Sequence, residues 1–151
     1  MLNPRRVYML AADHRWQWEE FCDARGLPRE RISDVKRLAC DGFLLARERS
    51  AAVRDFGALL VDEQYSSAVI SGALNAGLNV GTPAEKAGAF PLAWATDPFS
   101  AALTGAFVKV LVRYRPDDAA EIRAGQWAML DALQAWCRGA GQPLVARRAV
   151  F

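Results

Sequence analysis

The sequence predicts an α/β fold in which about five parallel strands are joined by crossover helices. Short apolar runs alternate with longer amphipathic stretches along the chain, and this order is typical of parallel strands connected by helices. The runs are apolar almost throughout, as expected for strands that are covered on both faces of a sheet. A partial barrel and a doubly wound open sheet both satisfy this pattern. We favour the barrel, because the chain contains neither GxGxxG after its first apolar run nor GxxxxGK[ST] anywhere.

Five segments have the composition of buried strands. The strongest is Phe107 to Val112, which reads FVKVLV and is rich in β-branched residues. Pro143 is acceptable in the fifth segment because it lies at the start of a strand. The predicted strands are 7–12, 57–61, 78–82, 107–112 and 142–146.

The stretches between these runs carry apolar residues at helical spacing. Gly26 and Gly77 are placed to end two of the helices. Asp117 or Asp118 is predicted to cap the last helix, which runs to Gly139. The other predicted helical stretches are 16–25, 28–53 and 66–76.

Composition places the chain among ordinary globular proteins, because 52% of its 151 residues are hydrophobic and 24% are charged. We predict one domain, residues 1–151, which forms an incomplete barrel, since a complete eight-stranded barrel typically needs about 250 residues. A net charge of +2 does not indicate a nucleic-acid partner. No apolar run approaches the ~18 residues that span a membrane, and no signal-peptide core is present, so we expect a cytoplasmic protein.

The cysteines do not indicate a metal or disulfide framework. Cys22, Cys40 and Cys137 are scattered and form no CxxC pair, and His14 is the only histidine. We therefore predict buried reduced thiols and neither a metal nor another cofactor. The terminal pairs Arg5–Arg6 and Arg147–Arg148 are interpreted as solvated residues.

Polar side chains follow the predicted strands, where the active site of an α/β barrel lies. Lys109 is the most informative, because a lysine inside an apolar strand is costly to bury without a partner. We expect it to point into the barrel, where Asp13 or Asp62 can neutralise it. A structural ion pair or an edge-strand lysine is the alternative. The predicted catalytic residues are Asp13, Asp62 and Lys109, and the predicted substrate-binding residues are His14, Arg15, Glu85, Lys86 and Arg113.

Several of these candidates also have a structural explanation. Asp13 and Asp62 can shuttle protons or hold a sugar hydroxyl, but carboxylates at strand ends also cap helices. His14 can act as a general acid or base near neutral pH, although a single histidine is a weak signal. Glu85 and Lys86 can equally be a solvated charge pair.

Four segments in the order YMLAADHR, LLVDEQY, TPAEKAG and FVKVLVRYRPDD resemble the DUF2090 family of bacterial sugar-catabolism proteins. The resemblance extends from about Tyr8 to about Gly139. Members occur fused behind a sugar kinase in myo-inositol catabolism, as the carboxyl-terminal part of 5-dehydro-2-deoxygluconokinase. The family is similar to class I aldolases related to tagatose 1,6-bisphosphate aldolase. The resemblance implies a partial aldolase-type (β/α) barrel, or TIM barrel.

The resemblance also implies reversible carbon–carbon cleavage of a phosphorylated keto sugar through a lysine Schiff base. It matches Asp13 and Asp62 to acidic residues after the first two strands, Glu85 and Lys86 to a pair after the third, and Lys109 to a supporting lysine. In such aldolases the Schiff-base lysine lies on a sixth strand, which these 151 residues do not reach. We therefore expect Lys86, Lys109 or a partner chain to supply it.

Two other hypotheses stay open. The chain can be a non-catalytic truncated barrel or assembly subunit, because five barrel strands leave two open edges and an exposed inner face. A second copy of the chain or a complementing chain would then cover those surfaces. The chain can also be an accessory domain of a sugar kinase, but no phosphate-binding glycine loop supports this.

Overall fold

The computed structural model describes residues 6–95 and 105–150, and for residues 148–150 it describes the backbone only. Within these ranges five parallel strands form one sheet, in the same order as in the sequence. A doubly wound sheet changes direction at a switch point in its strand order, and this sheet has none. It curls into a half-barrel, which confirms the partial (β/α) barrel. The strands are β1 (Tyr8–Ala12), β2 (Gly57–Val61), β3 (Asn79–Pro83), β4 (Phe107–Tyr114) and β5 (Leu144–Val150).

Five helices in the described ranges connect or flank these strands: α1 (Trp16–Asp23), α2 (Arg31–Arg49), α3 (Ala51–Phe56), α4 (Glu63–Asn75) and α5 (Ala120–Gly139). The single stretch predicted over 28–53 is two helices. Ser50 leaves the helical conformation, with φ −134° and ψ 116°, and its hydroxyl accepts from the backbone N–H of Val53. The predicted aspartate cap of α5 is wrong, because Ala119 precedes this helix and no side chain caps it. No helix in the described part of the chain combines the length and apolar character needed to cross a membrane.

Helices cover the outer face of the sheet. Alternation along β4 turns Val108, Val110 and Val112 toward Leu133 and Cys137 of α5. The other outer cluster joins β2 and β3 to α2 and α4, and its buried members are Cys40, Phe43, Leu59, Val61, Ile70, Ala73, Leu78 and Val80. The strands are therefore apolar on both faces, because helices cover the outer face and the curl of the sheet encloses the inner face.

Phe107 closes the inner face of the half-barrel. It packs with Ala58 and Leu60, all of them at most 1% exposed, and Val145 of β5 joins this cluster. The ring lies against Gly81, where an added Cβ would fall 2.1 Å from a ring carbon. Because the sheet curls, these residues bury one another. The expectation of an exposed inner face is therefore wrong for the part of that face around Phe107.

The inner face changes from apolar to charged toward the carboxyl ends of the strands. Residues two apart in a strand share a face, so Lys109 and Arg113 follow Phe107 along the inside of β4. On β5 the same alternation places Arg147 after Val145. The charged side chains therefore gather above the apolar floor that Phe107 forms.

Candidate functional site

A cleft of about 360 Å³ opens at the carboxyl ends of the strands. The predicted site residues that line it are Asp13, His14, Arg15, Glu85, Lys86, Lys109 and Arg113. The indole of Trp16 also lines the cleft, beside Gly88. The structure therefore brings seven of the eight predicted site residues to one cleft, and Asp62 is the one that lies outside the lining.

Lys109 lies in the wall of the cleft between two carboxylates. Its Nζ donates to Oδ2 of Asp13 at 2.8 Å and to Oε1 of Glu85 at 2.6 Å. The other oxygen of Glu85, Oε2, accepts from the backbone N–H of Leu111 at 3.1 Å. Lys109 is 5% exposed, and an ammonium so deeply buried requires charged partners. We call Lys109, Asp13 and Glu85 the inner lysine cluster.

The segment after β3 holds Glu85 in this cluster. Arg15 donates from its guanidinium to the backbone carbonyl of Glu85 at 3.0 Å, and the same nitrogen lies 4.0 Å from Glu85 Oε1. An isolated antiparallel bridge also joins Glu85 to Trp94. Glu85 is therefore buried and paired with Lys109, and the solvated Glu85–Lys86 pair considered from the sequence is wrong. Lys86 is exposed where it borders the cleft.

Asp62 is completely buried and belongs to a different set of contacts. Its Oδ2 lies 2.8 Å from Nζ of Lys36, and its Oδ1 accepts from the backbone N–H of Tyr65 at 2.8 Å. The second contact caps α4, as the structural explanation of this aspartate predicted. The expectation that Asp62 can neutralise Lys109 is wrong, because its cationic partner is Lys36. We call Lys36 and Asp62 the outer lysine cluster.

Lys36 was missed in the sequence. Its side chain is 1% exposed, and its Nζ donates to the backbone carbonyl of His14 at 2.6 Å and also to that of Ala12. A signal was available, because Lys36 lies midway between Ile32 and Cys40 on the buried face of α2. A charged residue at four-residue spacing within an apolar stripe indicates a buried partner.

Arg147 is exposed, as expected for a solvated terminus, but its place in the lining of the cleft was missed. It lines the cleft, since β5 continues past the predicted end of the strand. The signal was its position two residues after Val145, whose side chain belongs to the inner cluster. Arg6 is exposed, as expected. Arg5 and the side chain of Arg148 lie outside the described residues.

A family model for DUF2090, described as uncharacterized protein conserved in bacteria, matches residues 2–146. The chain belongs to the DUF2090 family. This confirms the family to which the sequence motifs pointed. No curated protein matches the chain closely enough to count as a relative.

The cleft of this DUF2090 protein carries more positive than negative side chains. Five cationic residues face two carboxylates, and both carboxylates are bound by Lys109. The resulting positive potential suits an anionic ligand, and arginine in particular matches the oxygens of a phosphate group. Within residues 6–95 and 105–150, no group of three or more His, Cys, Asp and Glu side chains is placed to hold a metal ion. The cleft thus places cationic side chains and the Asp13 carboxylate where an anionic ligand would meet both.

Proposed function

We propose that this chain is an aldolase-like protein of bacterial carbohydrate catabolism that cleaves a carbon–carbon bond of a phosphorylated keto sugar. The observation that carries the proposal is the inner lysine cluster, which places an ammonium and two carboxylates at the wall of an otherwise cationic cleft. A positioned carboxylate can move protons, and a positioned ammonium can stabilise negative charge that develops on a sugar oxygen. The resemblance to class I aldolases supports the same chemistry.

The phosphate of the substrate is assigned to the cationic residues that do not belong to the inner lysine cluster. Arg113 of β4 and Arg147 of β5 both line the cleft, and Arg147 pairs with Leu111, two residues before Arg113. The planar guanidinium is suited to bind two phosphate oxygens at once. His14 and Arg15 follow β1 and are assigned to the sugar hydroxyls. Phosphate binding would then anchor one end of the sugar while its carbonyl lies near the lysines.

Lys86 is the nucleophile that we propose for the Schiff base. The amine must be neutral when it attacks the carbonyl, whereas Lys109 donates to two carboxylates in the manner of an ammonium ion. Lys86 borders the cleft, and no described carboxylate forms an ion pair with it. In the proposed reaction its amine adds to the keto carbon, water leaves, and an iminium forms.

Asp13 completes the proposed reaction. It accepts the proton of the hydroxyl group on the carbon beyond the bond to be cleaved. That carbon then forms a C=O bond and leaves as an aldehyde, and the electrons of the broken bond pass to the iminium to give an enamine. Lys109 orients the Asp13 carboxylate throughout. Reprotonation of the enamine and hydrolysis then release the ketone product and the free Lys86 amine. Asp62 does not reach the substrate in this scheme, and we assign it an indirect role.

Borohydride trapping tests the proposal. The chain contains Lys36, Lys86 and Lys109 as its lysines, so peptide mapping by mass spectrometry assigns any adduct without ambiguity. With dihydroxyacetone phosphate as the probe, we expect a reduced adduct on Lys86 that is lost in Lys86→Met. Buried Lys36 is the internal negative control. Unphosphorylated dihydroxyacetone should label about tenfold less, since a charged phosphate contact is worth at least that factor.

Two outcomes would contradict parts of this scheme. An adduct on Lys109 would transfer the nucleophilic role from Lys86 to Lys109. The absence of an adduct on any lysine would exclude Schiff-base catalysis by this chain alone, and a partner chain would then have to provide the amine.

A second function, that of an assembly subunit, is favoured by an apolar groove on the outer side of β1. Tyr8 and Leu10 are 41% and 38% exposed, and they border this groove with Ala39, Gly42 and Phe43. Because β1 is an edge strand, we propose that a second copy of the chain covers this edge. Sedimentation over a range of concentrations should show association that Leu10→Glu abolishes. Leu38→Glu is the matched control, because Leu38 is more exposed and does not line the groove, and a monomeric wild-type chain would refute this proposal.

The narrower assignments rest on the resemblance. We propose a role in myo-inositol or related sugar catabolism, alongside a sugar kinase that would supply the phosphorylated substrate. A cytoplasmic location belongs to the same proposal, and the proposed chemistry requires no cofactor. Growth of a deletion strain on myo-inositol, with and without the Asp13→Asn variant supplied in trans, tests the pathway directly.

A further inference from the structure

The amine of Lys36 connects the outer helical layer to the end of β1. It donates to the backbone carbonyls of Ala12 and His14, and it lies 2.8 Å from Oδ2 of Asp62. Two of its N–H donors thus bind backbone carbonyls, and the Asp62 carboxylate balances its charge as an ion pair. The partners of this lysine, which is 1% exposed, therefore all lie outside the cleft.

The two carbonyls flank Asp13 on either side. The last rung of the β1–β2 ladder pairs Ala12 with Val61, and beyond it the chain crosses to α1 without regular structure. The backbone around Asp13 is consequently held by a side chain from α2, while its carboxylate accepts from Lys109. We propose that Lys36 is a positioning residue that orients Asp13 toward Lys109.

Asp62 fixes the position of Lys36 in turn. One of its oxygens is held by the first turn of α4 through the N–H of Tyr65, and the other faces the lysine amine. A chain of contacts therefore runs from the start of α4 through Asp62 and Lys36 to the backbone on either side of Asp13. This explains why a completely buried aspartate follows β2 without facing the cleft.

The catalytic consequence of this positioning rests on the proposed function, but the positioning itself can be measured without a substrate. The amine of Lys109 is occupied by its carboxylate partners, so a displaced Asp13 should make it more reactive toward acetic anhydride. Lys86 serves as the internal reference because it is already exposed. Failure of the trapping experiment would leave this measurement unaffected, which keeps the two proposals distinguishable.

The test compares the acetylation of Lys109 in the wild type and in four variants of the full chain. Lys36→Met/Asp62→Asn removes the contacts to the carbonyls without leaving an unpaired buried charge, and asparagine retains the capping oxygen. Asp13→Asn removes the proposed target, and a triple variant combines all three changes. Arg37→Met/Asp34→Asn is the matched control, because it removes an exposed ion pair of 3.0 Å from the same helix.

We expect Lys109 acetylation to rise about tenfold in Asp13→Asn and in Lys36→Met/Asp62→Asn, the scale of one hydrogen bond to a charged group. The triple variant should show no further increase, because both changes act on the same contact. Lys86 and the control variant should be unchanged, and circular dichroism should show the native fold. Protection of Lys109 in the folded double variant would overturn the proposal. So would independent effects that multiply to about a hundredfold in the triple variant.

Lys36→Gln/Asp62→Asn provides a second variant if Lys36→Met/Asp62→Asn does not fold, because it also leaves no unpaired buried charge. The shorter glutamine amide keeps two N–H donors for the carbonyls of Ala12 and His14. We expect an increase in Lys109 acetylation of about threefold, between the values for the wild type and Asp13→Asn. Wild-type protection of Lys109 in this variant would also overturn the proposal.

Discussion

The two buried lysines use similar contacts in surroundings that differ in access to solvent. In the outer lysine cluster the side chains of Lys36 and Asp62 are 1% and 0% exposed. In the inner lysine cluster those of Lys109 and Asp13 are 6% and 11% exposed, although the distance between amine and carboxylate is again 2.8 Å. The inner pair borders a cleft, whereas the outer pair is sealed between helices and strands. Access therefore separates a pair that can meet a substrate from a pair that can only support the framework.

The largest expected effect comes from leaving Lys36 without its carboxylate. Asp62→Ala should lower the free energy of unfolding by about 3–5 kcal/mol, because an uncompensated charge stays buried and α4 loses its cap. Urea denaturation followed by circular dichroism measures the change. Asp34→Ala is the control on α2, where loss of two exposed ion pairs, with Arg31 and Arg37, should cost less than about 1 kcal/mol. Equal effects of the two substitutions would contradict the conclusion that the outer lysine cluster is excluded from solvent.

A smaller effect is expected from the apolar floor beneath the inner lysine cluster. Gly81→Ala places a Cβ 2.1 Å from the ring of Phe107, and relief of this overlap should cost about 1–3 kcal/mol. Gly72→Ala on α4 is the matched control, because its Cβ would meet nothing within 4 Å. Thermal unfolding distinguishes the two variants. Full stability of Gly81→Ala would show that Phe107 does not close the inner face, and Phe107→Leu should restore stability to a destabilised Gly81→Ala protein.

The smallest effect concerns two thiols in the apolar clusters outside the sheet. Burial raises the pKa of Cys40, with a further contribution from Asp41, and burial also raises the pKa of Cys137. Because the thiolate is the reactive form, alkylation of both by iodoacetamide at about pH 8 should be at least tenfold slower in the folded than in the unfolded chain. Peptide mapping provides the rates.

The raised pKa values of these two thiols determine whether the stability of the fold rises or falls with pH. Their pKa is higher in the folded chain than in the unfolded chain, where it is about 8.5. The stability associated with the neutral thiols is thus complete below that value and is lost as the pH rises through the folded pKa. Thermal unfolding should shift slightly downward above about pH 9. Rapid alkylation at neutral pH would show that the outer layer opens, and it would weaken the contrast between the two lysine clusters.

Much of the candidate site could be predicted, because a short apolar run followed by polar residues indicates where a strand ends. The five apolar runs located the strands, and the parallel order then brought Asp13, Glu85 and Lys109 to one end of the sheet. Arg147 was not predicted to line the cleft, because charged residues near a terminus have the composition of a solvated tail. Its inward direction follows from the continued alternation of β5, which becomes visible only with the pairing to β4.

The sequence by itself determined which segments are strands, that they run parallel, and that Lys109 needs a charged partner. Only the tertiary structure decided the pairing, in which Lys109 meets a carboxylate 96 residues away and Asp62 meets a lysine of α2. Local periodicity depends on the rise and twist of a single segment, so a short stretch of sequence is enough to recognise it. The choice between two buried carboxylates depends on how strongly the sheet curls and where a helix lies across it. These properties arise only when residues distant in the sequence pack together.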